Sequence, residues 1–221
     1  MATVEELPGP TWSVERLRRH FGGIPAERLR LKPRPGSATE KDLIHENEVV
    51  RRGTCELIDG CLVEKAMGAR EALLAGAIIH YLHVYLAKNP CGVVLAPDGT
   101  LRLMPGLVRA PDVSYISWDR IGADEFPEDP IPDLAPELAI EVLSRWNTRK
   151  EIARKLKQYF ASGVLEAWVI DPRKRIAEIY HSPSSKRTIG VTGILDCPAI
   201  LPGFQLPLGD LFAAQKRRRG R

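Results

Sequence analysis

The chain has 221 residues, of which 44% are hydrophobic and 27% charged, and carries a formal net charge of +4. That length suits one well-buried domain and is short for two, and the composition is that of an ordinary globular protein. No apolar run reaches the ~18 residues of a membrane span, and the N-terminus has no basic start followed by an apolar stretch, so neither a membrane protein nor a secretory leader is expected.

Residues 1–36 hold one helical hint, Val14 to Phe21, closed by Gly22-Gly23. Leu29 to Gly36 follows, where Pro33 and Pro35 forbid a helix and leave an extended segment. This region reads as an N-terminal appendage or linker. A helix is expected from Ser37 or Thr39, either of which can cap it, to about Gly53. Thr54 to Glu64 reads as two strands joined by Asp59-Gly60, a strong hairpin signal. From Ala69 to Lys88 the residues Leu74, Ile78, Tyr81, Leu82 and Tyr85 recur at helical spacing, and Asn89-Pro90 ends that helix.

Gly92 to Leu95 and Leu101 to Leu103, around Pro97-Asp98-Gly99, suggest a second hairpin. Pro111 to Ser117 is a strand, with Asp112, Ser114 and Ile116 on one face and Val113, Tyr115 and Ser117 on the other. Residues 119–136 are acidic and proline-rich, hence loop. Leu138 to Leu143 is a short apolar run behind Pro136, the pattern of a central strand buried on both faces. A helix from Asn147 or Thr148 to Ser162, stopped by Gly163, follows it. Leu165 to Ile170 and Arg175 to Tyr180 are strand-like around Asp171-Pro172, and Ile200 to Phe212 is short and turn-rich. The order points to an α/β fold, a mixed sheet flanked by helices.

Charge and thiols add two bounds. Five of the positive charges, Lys216 to Arg219 and Arg221, form a basic C-terminal tail, and residues 1–36 are +3, so residues 37–215 are −4. Basicity therefore belongs to the two ends and argues little for nucleic acid. Cys55, Cys61, Cys91 and Cys197 are widely spaced with no CxxC pair. Buried or structural thiols in a cytoplasmic protein are expected ahead of disulfides or zinc.

Three acids fall on predicted strands: Glu56, Asp112 and Glu141. A buried carboxylate costs several kcal/mol unless it is paired or binds a metal. Clustered carboxylates are how proteins supply oxygen ligands to Mg²⁺, while an edge position or a satisfied hydrogen bond explains a single strand acid. In the helix after the central strand, Ile152, Leu156, Tyr159 and Phe160 form the apolar stripe and Lys155 lies at its border. Its ammonium either reaches a site at the helix start or snorkels to water, and Glu151 is available to it as an i,i+4 partner.

Glu56-Leu57-Ile58-Asp59-Gly60, Pro111-Asp112-Val113, Glu141-Val142-Leu143-Ser144, the helix Lys155…Tyr159…Gly163-Val164, Asp171-Pro172 and Leu201-Pro202-Gly203-Phe204 together resemble the Uma2 family, of restriction-endonuclease type within the PD-(D/E)XK nuclease superfamily. The resemblance covers about residues 37–212, with residues 1–36 as an extension and 213–221 as the basic tail. It implies a restriction-endonuclease-like fold and metal-dependent cleavage of DNA, with Mg²⁺ or Mn²⁺ held by Asp112, Glu141 and Glu56. Lys155 stands in for the usual lysine two residues after the glutamate, where this chain has Leu143. A homodimer is implied by the superfamily only. Two departures bear on substrate contacts: Ser144-Arg145-Trp146 stands where Ser-Pro-Ser is common, and Arg70-Glu71 where the long helix often opens with histidine. Cys61 stands where an acid is common.

Arg145, Arg149, Lys150 and Arg70 are candidate phosphate contacts, with a merely solvated face as the plainer account. His80 and His83 lack ligand spacing, and Trp118, Trp146 and Trp168 read as packing residues. A second functional class stays open: a nuclease-fold protein without turnover, acting as a nucleic-acid-binding or assembly module. The −4 balance of residues 37–215 favours it, because a DNA groove wants positive charge.

Overall fold

A computed structural model describes residues 12–215; the basic tail from Lys216 onward lies outside them. Helix α1 (Val14–His20) is capped by the Ser13 side chain, which accepts from the Arg16 N–H, and a 3₁₀ turn follows at Ala26–Arg28. Helix α2 (Glu40–Ile44) starts in a capping box between Thr39 and Asp42 and runs into a π-helical turn, His45–Val50. Strands β1 (Cys55–Ile58) and β2 (Cys61–Glu64) form the expected hairpin. Asp59 and Gly60 both have positive φ, +51° and +66°, as a type I′ turn requires. A Cβ at residue 60 would sit 2.6 Å from the Gly36 carbonyl group.

Helix α3 (Ala69–Leu86) carries the apolar face seen in the sequence, with Leu74, Ile78 and Leu82 fully buried. Strands β3 (Gly92–Leu95), β4 (Leu101–Met104), β5 (Leu107–Arg109) and β6 (Val113–Ser117) follow, then the single turn α4 (Trp118–Ile121). Strand β7 (Leu138–Val142), helix α5 (Arg149–Ala161) and strand β8 (Glu166–Asp171) make a parallel β–α–β unit. Thr148 and Glu151 cap α5 reciprocally. Gly163, at φ +94°, lets the chain leave it. Strands β9 (Ile176–Ser182), β10 (Ser185–Ile189), β11 (Ile194–Leu195) and β12 (Leu206–Pro207), and helix α6 (Leu208–Ala213), complete the described residues.

The strands form a six-stranded mixed sheet, β10-β9-β8-β7-β6-β3, a four-stranded antiparallel sheet, β2-β1-β5-β4, and the pair β11-β12. The segments at Gly92 to Leu95 and Leu101 to Leu103 are not a hairpin: β3 pairs with β6 and β4 with β5, in different sheets. Pro97-Asp98-Gly99 is the crossing between sheets, and the true hairpin partner, β5, is three residues long with an Arg in it. Strand β10 was also unannounced, because Ser185 to Thr188 is exposed and offers no apolar alternation.

The six-stranded sheet has a core on each face. Leu138, Ile140 and Val142 of β7 pack with α3 and α6. Ala139 points the other way, toward α5, α1 and the second sheet, and period-2 alternation sends Glu141 to that same side. A smaller cluster, Leu43, Cys55, Leu57 and Leu62 among others, lies behind the four-stranded sheet.

The segment before residue 37, expected as an appendage or linker, is instead packed into the body. Leu17, Phe21, Ile24 and Leu29 are buried against Ile152, Leu156 and Tyr159 of α5. Arg28 locks it there with two hydrogen bonds to Glu151, 2.6 and 3.1 Å, and one to the Glu64 carbonyl at 2.7 Å. Glu151 is thus the partner of Arg28 rather than of Lys155. Removing one member of a buried pair strands the other, at a cost of about 3 kcal/mol. Arg28→Met is expected to lower the urea midpoint accordingly, and a variant as stable as wild type would show that this clamp contributes nothing.

Candidate active site

Glu56, Asp112, Glu141 and Lys155 are brought together in the interior, each no more than 4% exposed. Glu56 projects from β1 on the face opposite Cys55 and Leu57, which fill the cluster behind the sheet. Asp112 stands just before β6. Beyond the last paired rung of β6 and β7, Val113 with Ile140, the Asp112 N–H still donates to the Ile140 carbonyl at 2.9 Å. The Asp112 carboxylate then takes over as acceptor for the next β7 amide, Val142 N–H, at 2.7 Å. Asp112 and Glu141 therefore flank the same strand boundary as neighbouring like charges, an arrangement that destabilises a sheet unless cations offset it.

Lys155 supplies one of those cations. Its Nζ lies 2.9 Å from both Glu141 carboxylate oxygens and 3.3 Å from Glu56 Oε1. The snorkelling alternative is displaced: at 3% exposure the whole side chain is inside, because the segment before residue 37 and the four-stranded sheet cover the flank of α5 that the sequence left open. Tyr159, one turn on, donates its hydroxyl to Glu141. Arg109 binds Glu56 at 2.6 Å and is held in turn by Gln158 at 3.1 Å. The Ala110 N–H donates to the other Glu56 oxygen at 3.2 Å. Lys65, directly after β2, places Nζ 3.1 Å from Asp112 Oδ1.

The electrostatics follow from burial and neighbours. Burial alone would push the Glu56 carboxyl up, but the Lys155 ammonium and the Arg109 guanidinium overcome it and hold it at about 2. For Glu141, burial wins: despite Lys155, the charges of Asp112 and Glu56 help raise its pKa above the usual range. Burial would lower the Lys155 pKa, and the two glutamates raise it well past that of a free lysine. Burial and the Glu141 charge raise the Tyr159 phenol, so it stays a proton donor.

Three residues of this cluster were not among the site residues expected from the sequence. Tyr159 was visible in the apolar stripe and in the family-like run Lys155…Tyr159…Gly163-Val164, without a role of its own, and Lys65 only as the residue after a hairpin. Arg109 carried a usable sign, a cation in a strand between apolar neighbours, but that strand was not recognised. Glu56, expected as a third metal ligand, is drawn furthest into ion pairs. Among the described residues no three His, Cys, Asp or Glu side chains are grouped as a metal-ligand set. Asp112 and Glu141, two adjacent hard-oxygen donors, are the pair whose chemistry fits Mg²⁺ or Mn²⁺.

The candidate phosphate contacts all lie at the surface. Arg145 and Arg70 line a cavity of about 400 Å³ and Arg149 a larger one of about 890 Å³. Both cavities reach Leu143, two residues beyond Glu141. Lys150 is exposed on α5 outside both. Arg70 is engaged by Gln215 at 2.7 Å and the Pro172 carbonyl at 3.2 Å. Trp168 is a packing residue, fully buried, but Trp146 is not: it is 51% exposed, with the Arg145 guanidinium 4.5 Å over its ring. His80 and His83 are exposed. Cys55, Cys61 and Cys197 are buried thiols and Cys91 is exposed. Among the described residues no helix is long and apolar enough to cross a membrane.

Comparison with known proteins gives two findings. The family model Uma2, described as "Putative restriction endonuclease", matches residues 46–209, a span that contains every member of the cluster. Among solved structures, a crystal structure of "a putative nuclease belonging to DUF820" from Anabaena variabilis ATCC 29413 superposes with a TM-score of 0.65 at 18% identity, covering 73% of this chain and 90% of that one. At that identity the likeness is one of fold. No curated protein matches the chain.

Proposed function

We propose, from the premise that this chain belongs to the Uma2 family, that it is a cytoplasmic, metal-dependent nuclease hydrolysing phosphodiester bonds of DNA. The observation that carries the reading is Lys155 Nζ at 2.9 Å from both oxygens of Glu141 and 3.3 Å from Glu56, with Asp112 beside Glu141. An ammonium, two carboxylates at a strand boundary and an exposed basic rim are the groups that phosphodiester hydrolysis needs. Asp112 and Glu141 would hold Mg²⁺ or Mn²⁺. When bound, such an ion polarises the phosphate and lowers the pKa of its water.

The protein's own groups take the remaining roles. Lys155 orients the attacking water or stabilises the charge that develops on the phosphate. Tyr159, by donating to Glu141, fixes that carboxylate's orientation. Glu56, clamped by Arg109 and the Ala110 amide, positions Lys155 rather than meeting the substrate. Arg145, Arg149 and Lys150, with Arg70 at the edge, contact backbone phosphates, which position DNA without reading its sequence.

The alternative, a binding module without turnover, is favoured by the −4 balance of residues 37–215 and by burial: the acids and Lys155 are at most 4% exposed and line none of the cavities above. Incubation of plasmid and linear DNA with Mg²⁺ or Mn²⁺ decides between them. Cleavage is expected with either metal, none with a chelator, and none from Asp112→Asn. DNA binding without cleavage under any metal, or cleavage undiminished in Asp112→Asn, would overturn the nuclease assignment.

A further inference from the structure

Lys65 is the one cation of the cluster that touches Asp112, and its surroundings are built for it. Its side chain is 5% exposed, as is that of Asp112. The ammonium meets three oxygens: the Pro97 carbonyl at 2.6 Å, Asp112 Oδ1 at 3.1 Å and the Pro111 carbonyl at 3.3 Å. An ammonium has three N–H donors, so all three are used. The other Asp112 oxygen is taken by the Val142 amide.

The charge count gives this contact its meaning. Glu56, Asp112 and Glu141 face Lys65, Arg109 and Lys155, three negative charges against three positive. A divalent ion entering that balance would leave two uncompensated positive charges where interactions are weakly screened. Departure of one resident cation would halve that excess. Lys155 is committed to Glu141 through both carboxylate oxygens and to Glu56 as well, and Arg109 to Glu56 while Gln158 holds its guanidinium. Lys65 alone sits on the carboxylate oxygen of Asp112 that is free of backbone bonds, among carbonyl oxygens of the kind hard cations prefer.

We propose that Lys65 is a built-in occupant of the divalent-cation position at Asp112, so that metal binds only by displacing its ammonium. The inference rests on the reading above, in which Asp112 is a metal ligand. It makes the metal-free protein a stable, charge-balanced resting state and sets its metal affinity below that of the same site without Lys65.

Mn²⁺ binding to the full chain, followed by calorimetric titration and by the electron paramagnetic resonance of free Mn²⁺, tests it without recourse to activity. Lys65→Gln, which keeps an N–H donor for the Pro97 or Pro111 carbonyl and removes the charge, is expected to bind Mn²⁺ at least about tenfold more tightly than wild type. It should also show the larger rise in melting temperature on adding Mn²⁺. Lys65→Met, which strands Asp112 more completely, should be destabilised without metal and regain stability with it. Equal or weaker Mn²⁺ binding by Lys65→Gln, with binding abolished in Asp112→Asn, would overturn the role of Lys65 and leave the metal site standing. Mn²⁺ binding indifferent to Asp112→Asn would remove Asp112 from the metal site and overturn both.

Discussion

Lys155→Met is expected to cost the fold about 3–5 kcal/mol at neutral pH, the range for removing one partner from a buried ion pair. Methionine keeps most of the volume, so the cost is electrostatic. Glu56 retains Arg109, but Glu141 is left with the Tyr159 hydroxyl as its side-chain donor. The pH dependence has a definite sign. Lys155 has a raised pKa in the fold, so its stabilisation is fully present below its unfolded value near 10.5 and fades as pH rises through the folded one; at pH 7 all of it is lost with the side chain. The stranded Glu141, whose pKa is already raised by burial, Asp112 and Glu56, can then recover by taking up a proton. The deficit should shrink as pH falls from neutrality toward the ordinary carboxylate value near 4.5. Adding Glu141→Gln to Lys155→Met should return more than half of the loss, as expected for directly coupled partners. Urea unfolding of the two single variants and the double variant measures this, and a Lys155→Met protein within 1 kcal/mol of wild type would show that the pair carries no net stability.

How far the sequence reached can be followed along α5. Its limits, its cap at Thr148, its stop at Gly163 and its apolar stripe were legible, because capping and 3.6-residue periodicity are local. That Lys155 is buried was not, since burial depends on what covers the helix. The covering piece, Leu17 to Leu29, has only a short helical run and one proline, Pro25, and it acquires its role by packing over α5 more than 120 residues away. Strand β7 shows the same boundary. Its depth in the sheet and the anomaly of Glu141 within it were readable from Leu138 to Leu143, whereas the sheet membership of β3 and β4 was not, because a turn signal such as Asp98-Gly99 says that the chain bends and not which strand it then joins. The acids at 56, 112 and 141 were recognisable as residues out of place. Their counter-ions Lys65 and Arg109 were not, because a lysine or arginine near a strand end is commonplace until its partner is known.

Glu141→Gln should separate chemistry from stability in the opposite sense to Lys155→Met. Cleavage is expected to fall roughly 10³-fold, the scale of removing one preorganised electrostatic group from a site, because glutamine offers a neutral oxygen where the proposed chemistry needs a charged one. Stability should move by no more than about 1–2 kcal/mol. The reason lies in the direction of the Glu141 shift: burial first, then Asp112 and Glu56, disfavour its ionised form in the fold and outweigh Lys155. A carboxyl whose folded pKa is raised costs folding free energy at pH values above it, and that cost is relieved as pH falls through the folded value toward the ordinary one near 4.5. The amide removes the cost together with the attraction to Lys155, whose ammonium keeps Glu56 at 3.3 Å. Wild type should therefore gain stability relative to Glu141→Gln as pH is lowered from 7 to 5. Paired unfolding curves and plasmid cleavage rates across that range read both effects. Equal cleavage by the two proteins would take Glu141 out of the chemistry and leave it as the buried counter-ion of Lys155.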